Sequence, residues 1–108
     1  MTPVNSYTPL SFAQLVDNTL LSPCATKEDF KRLCDESKKY AFKTVAVNPA
    51  SVAVCREFLS GSEVGVDAAI SFPLGQTPLK AKQVETACAL EDGAQEIDYV
   101  INIGRLKE

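Results

Sequence analysis

The side chains able to carry acid–base chemistry in this sequence are carboxylates, lysines and tyrosines, because none of the 108 residues is histidine. That absence excludes His-based zinc sites, Ser-His-Asp triads and Cys-His dyads. Three aspartates fall inside apolar, strand-like runs: Asp17 in LVDNTLL, Asp67 in VGVDAAISF and Asp98 in EIDYVINI. Asp98 is the most pointed case. A carboxylate in such a run is strongly disfavoured unless it is hydrogen-bonded or matched to a cation. It is either a structural aspartate bonded to backbone or lysine, or a proton-transfer group, and the pattern alone leaves both open. Asp17 comes early in its run and could bind Thr19 or a neighbouring strand. Asp67 lies nearer the amino end of its run, the end that concerns stability in barrels, and is set aside as a candidate.

These residues need elements to hold them. Thr8-Pro9 reads as the N-cap and first residue of a short helix through about Gln14, following a polar and loose Met1–Tyr7. Leu15–Leu21 reads as a strand. Thr26 and Asp29 form a capping-box pair for a helix whose buried stripe is Phe30, Leu33, Cys34, Ser37 and Ala41. Phe42–Val47 is a second strand, and Asn48-Pro49 opens a helix that runs to about Ser60 and stops at Gly61. Val64–Phe72 is a third strand. Thr77-Pro78 starts a helix with Val84, Ala87 and Cys88 facing inward, and Glu96–Ile103 is a fourth strand. Leu74–Pro78 leads into a helix N-terminus but matches neither G-x-G-x-x-G nor a Walker pattern, so it reads as a plain turn.

Single helices between strands imply right-handed crossovers and a parallel sheet. The strand starts are on average about 27 residues apart, so eight such units would reach the lower end of a (β/α)8 barrel. The expected fold class is therefore α/β: parallel (β/α) units of a TIM barrel, about four strands preceded by a short N-terminal helix. Residues 1–108 read as one half-barrel.

Period-two alternation sorts the strand residues onto two faces. Val16, Val45, Val47, Val66, Ala68, Ile70, Ile97, Tyr99, Ile101 and Ile103 form an apolar set suited to lie under helices. Asp17, Thr19, Thr44, Ala46, Asn48, Asp67, Ala69, Ser71, Asp98, Val100 and Asn102 form a small, polar one. A doubly wound sheet wants both faces apolar, whereas a barrel that holds a polar ligand wants one polar interior.

Composition narrows the partners. Eleven basic against fourteen acidic residues give a net charge of −3, with no basic stripe for nucleic acid. No apolar run is long enough to span a bilayer, and no charged n-region of a signal peptide precedes Lys27, so the cytoplasm is the expected location. The cysteines, Cys24, Cys34, Cys55 and Cys88, include no C-x-x-C pair. Three of the four fall on apolar helix faces, where a reduced thiol acts as a small hydrophobe.

The segments LVDNTLLSPCATKEDFKRLCDESKKYAFKTVAVNP, SFPLG and GAQEIDYVINIGRLK resemble the N-terminal half of the deoxyribose-phosphate aldolase family, from about Leu15 to Lys107. The resemblance implies a class I aldolase barrel without metal or other cofactor. Its substrate would be a small sugar phosphate, 2-deoxy-D-ribose 5-phosphate, cleaved through a lysine Schiff base to acetaldehyde and glyceraldehyde 3-phosphate. It implies that Asp98 relays protons as the catalytic aspartate. Asp17 would position the lysines, with Thr19 and Asn48 lining the same pocket. Asn18 stands where the family often has His, and Ala46 where many members have Cys. The family's Schiff-base lysine, second catalytic lysine and phosphate-binding residues come from later strands. Neither Lys43, at a strand start, nor Lys107 is a credible replacement, so the chain alone is expected to be inactive. Two other readings are a non-catalytic half-barrel that self-associates through its outer strands, Leu15–Leu21 and Glu96–Ile103, and a flavodoxin-like phosphate-binding domain.

Overall fold

A computed structural model describes residues 3–108; Met1 and Thr2, part of the stretch expected to be loose, lie outside the described residues. The rest of that stretch holds a single 3₁₀ turn, Val4–Ser6. Helix α1 (Pro9–Ala13) follows, capped by Thr8, whose side chain accepts the Ser11 N–H while the Ser11 hydroxyl oxygen accepts the Thr8 N–H. Strand β1 (Asp17–Leu20) leads to α2 (Lys27–Tyr40), closed at its start by the expected Thr26–Asp29 capping box. Strand β2 (Thr44–Val47) passes through a 3₁₀ turn, Pro49–Ser51, into α3 (Val52–Phe58). Strand β3 (Gly65–Ile70), α4 (Leu79–Glu91), β4 (Glu96–Tyr99) and a short α5 (Ile103–Leu106) complete the chain.

The strands form one parallel sheet in the order β1-β2-β3-β4. Asp17 faces Thr44, Ala46 faces Asp67, and Ala69 faces Asp98 in the register. A strictly sequential order, with no reversal at the first crossover, is barrel-like and differs from a flavodoxin-like sheet, whose order reverses there. The expected four-unit half-barrel architecture is what the chain adopts.

The core lies on the apolar strand face. Val45, Val47, Val66, Ala68 and Ile70 are fully buried there against Phe30 and Cys34 of α2, Val52 and Cys55 of α3, Leu59, and Ala89 of α4. Each large aliphatic side chain so buried contributes about 1.5–3 kcal/mol. Helix α2 contributes Phe30, Cys34 and Ser37 from the expected stripe and ends where Ala41 turns into the left-handed region at φ 56°.

Several boundaries and faces differ from the sequence reading. Strand β3 stops at Ile70 because Ser71 takes φ 56°. Strand β4 stops at Tyr99, and Asn102, expected within the strand, instead caps α5 by accepting the Arg105 N–H at 3.1 Å. Pro78 rather than Thr77 occupies the N-cap of α4, since the Thr77 hydroxyl is paired with that of Ser71 at 2.7 Å.

Helix α4 is also rotated relative to expectation. Val84, Ala87 and Cys88 are exposed, and Ala89 is the buried residue. Polar anchors set this rotation. Glu85 Oε1 accepts the Ser71 N–H at 2.6 Å, and Lys82 Nζ donates to the Val100 carbonyl at 3.0 Å. Tyr99, Ile101 and Ile103, sorted with the helix-covered set, are exposed as well. With Leu79, Leu90 and Ile70, Tyr99 and Ile101 line an open groove of 520 Å³ along the β4 edge.

Candidate active site

Strand alternation brings four carboxylates onto the face opposite the core. They are Asp17 from β1, Asp67 from β3, and Glu96 and Asp98 from β4. Asp98, the third residue of β4, is exposed on this face. Asp17 is held by its neighbour strand, with Thr44 Oγ1 donating to Asp17 Oδ1 at 2.6 Å. The Thr19 hydroxyl donates to the Asp17 backbone carbonyl at 2.9 Å, so it supports β1 locally rather than the Asp17 carboxylate. Asn48 lies one residue past β2, where its amide donates to the Leu21 carbonyl at 3.2 Å and ties the carboxyl ends of the first two strands together.

Asp67, set aside in the sequence reading, is the most perturbed of the four. It is 1% exposed, and neither carboxylate oxygen has a hydrogen-bond partner. Burial, followed by the nearby Asp98, Asp17 and Glu96 carboxylates, raises its pKa from 3.8 to about 8. At neutral pH it therefore carries a proton in the folded chain. Its place in the middle of the polar face follows from the register, which sets it between Ala46 and Glu96. Glu96 was not singled out in the sequence reading, although it shares the alternation of Asp98 and its place on this face could have been read from EIDYVINI.

The carboxyl end of the sheet is shaped by the Ser71–Thr77 turn. Gly75 is at φ +69°, and a Cβ there would lie 2.2 Å from the Ile101 carbonyl oxygen. Only glycine allows this loop to lie against the segment after β4. Lys82, a helical residue given no separate weight in the sequence, reaches the same end through its bond to Val100. Among the described residues, none of the four carboxylates is in an ion pair.

A sequential parallel sheet with a packed helical face and an acidic opposite face defines one segment of a (β/α) barrel. No protein-family model matches the chain. Individual relatives do. A deoxyribose-phosphate aldolase of Lactobacillus acidophilus is 50% identical over 101 residues, covering 94% of this chain and 43% of the relative. The enzyme of that name from Caldicellulosiruptor saccharolyticus is also 50% identical over 101 residues, covering 94% of this chain and 46% of its own. A solved structure of deoxyribose phosphate aldolase from Aeropyrum pernix, described as tetrameric, superimposes with a TM-score of 0.85 at 37% identity, over 91% of this chain and 42% of that one. Over about nine-tenths of its own length the chain is thus similar to part of these deoxyribose-phosphate aldolases. It spans somewhat under half the length of these relatives.

Proposed function

We propose that residues 1–108 form the amino-terminal, proton-handling half of a class I aldolase that cleaves 2-deoxy-D-ribose 5-phosphate to acetaldehyde and glyceraldehyde 3-phosphate. The observation that carries this reading is the exposed Asp98 on the polar face of β4, in a chain half identical to aldolases of that name. In the cleavage direction the C3 hydroxyl would lose its proton and become the aldehyde carbonyl of glyceraldehyde 3-phosphate as the C2–C3 bond breaks, and the electron pair of that bond would pass to the lysine-bound iminium at C1, giving an enamine. Asp98 would take and return protons during these steps, where a positioned acid–base group contributes roughly 10²–10⁴-fold. Asp17, oriented by Thr44, would hold the lysines in place, and Thr19 and Asn48 would line the pocket. The lysines themselves would come from strands beyond these four. The same reading places the protein in the cytosol, where its free thiols stay reduced.

The test is a fusion of the chain to the portion of the Lactobacillus acidophilus relative that it does not cover. The fusion is expected to release glyceraldehyde 3-phosphate, and Asp98→Asn to lower kcat by about 10²-fold or more without changing the fold. The 108-residue chain alone is expected to show no turnover. Turnover by that chain, with borohydride trapping a Schiff base on one of its own lysines, would overturn the division of labour. Undiminished turnover by the Asp98→Asn fusion would remove Asp98 from its role.

The groove beside β4 favours a second reading at the level of assembly. Strands β1 and β4 are the two edges of the sheet, and Leu79, Leu90, Tyr99 and Ile101 are exposed beside the second. Edges and apolar flanks of this kind require a covering partner. Four further (β/α) units, or a second copy of the chain, would supply one. Light scattering that gave a monodisperse monomer would exclude closure by a second copy.

A further inference from the structure

Helix α4 keeps one face that none of the described residues covers. It buries Ala89 toward the core, packs on β3 and on the Pro49–Ser51 turn, and lines the groove along β4 with Leu79 and Leu90. Further (β/α) units would continue from that β4 side. Away from Ala89 lie Lys80, Val84, Cys88 and Glu91, all exposed, at the i, i+4, i+8 and i+11 positions of one stripe. At 3.6 residues per turn the four fall within about 80° of the helix circumference. They point outward from the sheet whether or not the sheet continues past β4. Val84 is 55% exposed and shares an open depression of 640 Å³ with Ala81 and Cys88.

The order of charge along this stripe identifies what fits it. Lys80 stands toward the amino end, Glu91 at the carboxyl end, and the apolar Val84 and Cys88 between them. The two charges are roughly 16 Å apart along the axis, too far to pair within one helix. A second α4 laid antiparallel across a two-fold axis near Thr86 brings each Lys80 to the other copy's Glu91 and each Val84 to the other copy's Cys88. A parallel pair would instead set like charges side by side. Self-complementarity of this kind is what an interface between identical chains requires, and an unrelated partner would not call for it. We propose that the outer face of α4 is an interface between two copies of this chain, packed antiparallel with Lys80 of each copy against Glu91 of the other. With one helix from each copy, the buried area falls below the roughly 1,200 Å² of stable interfaces. The dimer is therefore weak and reversible, with a Kd on the order of 10⁻⁴ M. The inference rests on α4 alone and is independent of the aldolase reading and of any closure at the sheet edges.

The test reads assembly and contact together. Sedimentation velocity of the 108-residue chain at up to about 1 mM should show a monomer–dimer equilibrium. A carbodiimide, which joins an amine directly to a carboxylate, should link Lys80 to Glu91 in an equal mixture of unlabelled and ¹⁵N-labelled chain. The linked peptide should then carry one half of each isotope, which marks a contact between copies. Lys80→Glu and Glu91→Lys each turn two attractions into two repulsions and should each weaken dimerisation about tenfold or more. The two variants mixed together, or both changes in one chain, restore the attractions and should recover wild-type dimerisation. Each change lies on an exposed helix surface and should leave the far-UV spectrum of the fold unaltered. A monomer at every concentration, a dimer without the mixed-isotope Lys80–Glu91 link, undiminished dimerisation of the single variants, or no recovery on mixing them would overturn the proposal. A second copy seated on a sheet edge or in the β4 groove gives no such link, and no readout involves turnover, so failure here leaves the aldolase reading intact.

Discussion

The Thr44 hydroxyl donates to Asp17 Oδ1 at 2.6 Å, between two residues that face each other across β1 and β2. Thr44 is 1% exposed, so its hydroxyl has no water to bond in place of Asp17. Asp17 is open to solvent on its far side. The bond therefore fixes one oxygen of an otherwise mobile carboxylate at the edge of the acidic face.

Thr44→Val keeps the side-chain shape and removes that bond. Stability should fall by about 1 kcal/mol, seen as a lower urea midpoint with an unchanged slope. Thr44→Ser, which keeps the hydroxyl, should retain the orientation of Asp17. Equal retention of stability in Thr44→Val would show that the bond contributes nothing net.

Asp67 makes the folded chain sensitive to pH in an unusual sense for an aspartate. Its folded pKa, about 8, lies above the ordinary 3.8, so the folded state holds a proton that the unfolded chain releases. Its contribution is fully present below about pH 4 and is lost as the pH rises through about 8, at up to about 1.4 kcal/mol per unit. Urea stability of the wild-type chain should decline over this window. Asp67→Asn should flatten the decline and be the more stable protein at the alkaline end. A wild-type profile as flat as that of Asp67→Asn would show that Asp67 ionises normally.

Gly75 and Gly61 both have positive φ, but they differ in what surrounds them. At Gly75 a Cβ would meet the Ile101 carbonyl oxygen at 2.2 Å, whereas at Gly61 nothing lies within 4 Å. Gly61→Ala should cost only the left-handed backbone term, about 1–2 kcal/mol, and Gly75→Ala should cost distinctly more. Thermal unfolding of the two variants side by side gives the comparison.

The thiols separate cleanly by burial. Cys34 and Cys55 are fully buried, while Cys24 and Cys88 are exposed. The neighbouring Cys34 thiol and burial push Cys55 further up from the usual thiol range, which slows its reaction again. Reaction of the native chain with an aromatic disulfide reagent should modify two thiols quickly and two only on unfolding. Fast modification of Cys34 would mean that α2 and α3 open far more readily than their packing indicates.

The starts of α1 and α2 were legible because capping is local. Thr8 and Thr26 cap where expected, since an N-cap and the residue three positions on meet within a single turn. The strands were legible as alternating runs, and so was the position of Asp98 on the face opposite the core. The inward face of α4 was not. Its apolar residues are spread around the helix, and Glu85 and Lys82 set its rotation through bonds to Ser71 and Val100, 14 and 18 residues away. The strand-like EIDYVINI likewise gave no sign that Asn102 would cap a new helix rather than extend β4.

By its own pattern the sequence determined the parallel (β/α) repeat, the two faces of its strands and the family it resembles. Each of these depends on the order of residues along one element or on motifs read end to end. Only the tertiary structure decided which carboxylates meet. Asp17, Asp67 and Glu96 are separated along the chain, and they converge because β1, β3 and β4 share one sheet and one register. Asp67 looked the least promising of the three aspartates in its strand. Burial among like charges, a property of space and not of sequence position, makes it the most perturbed.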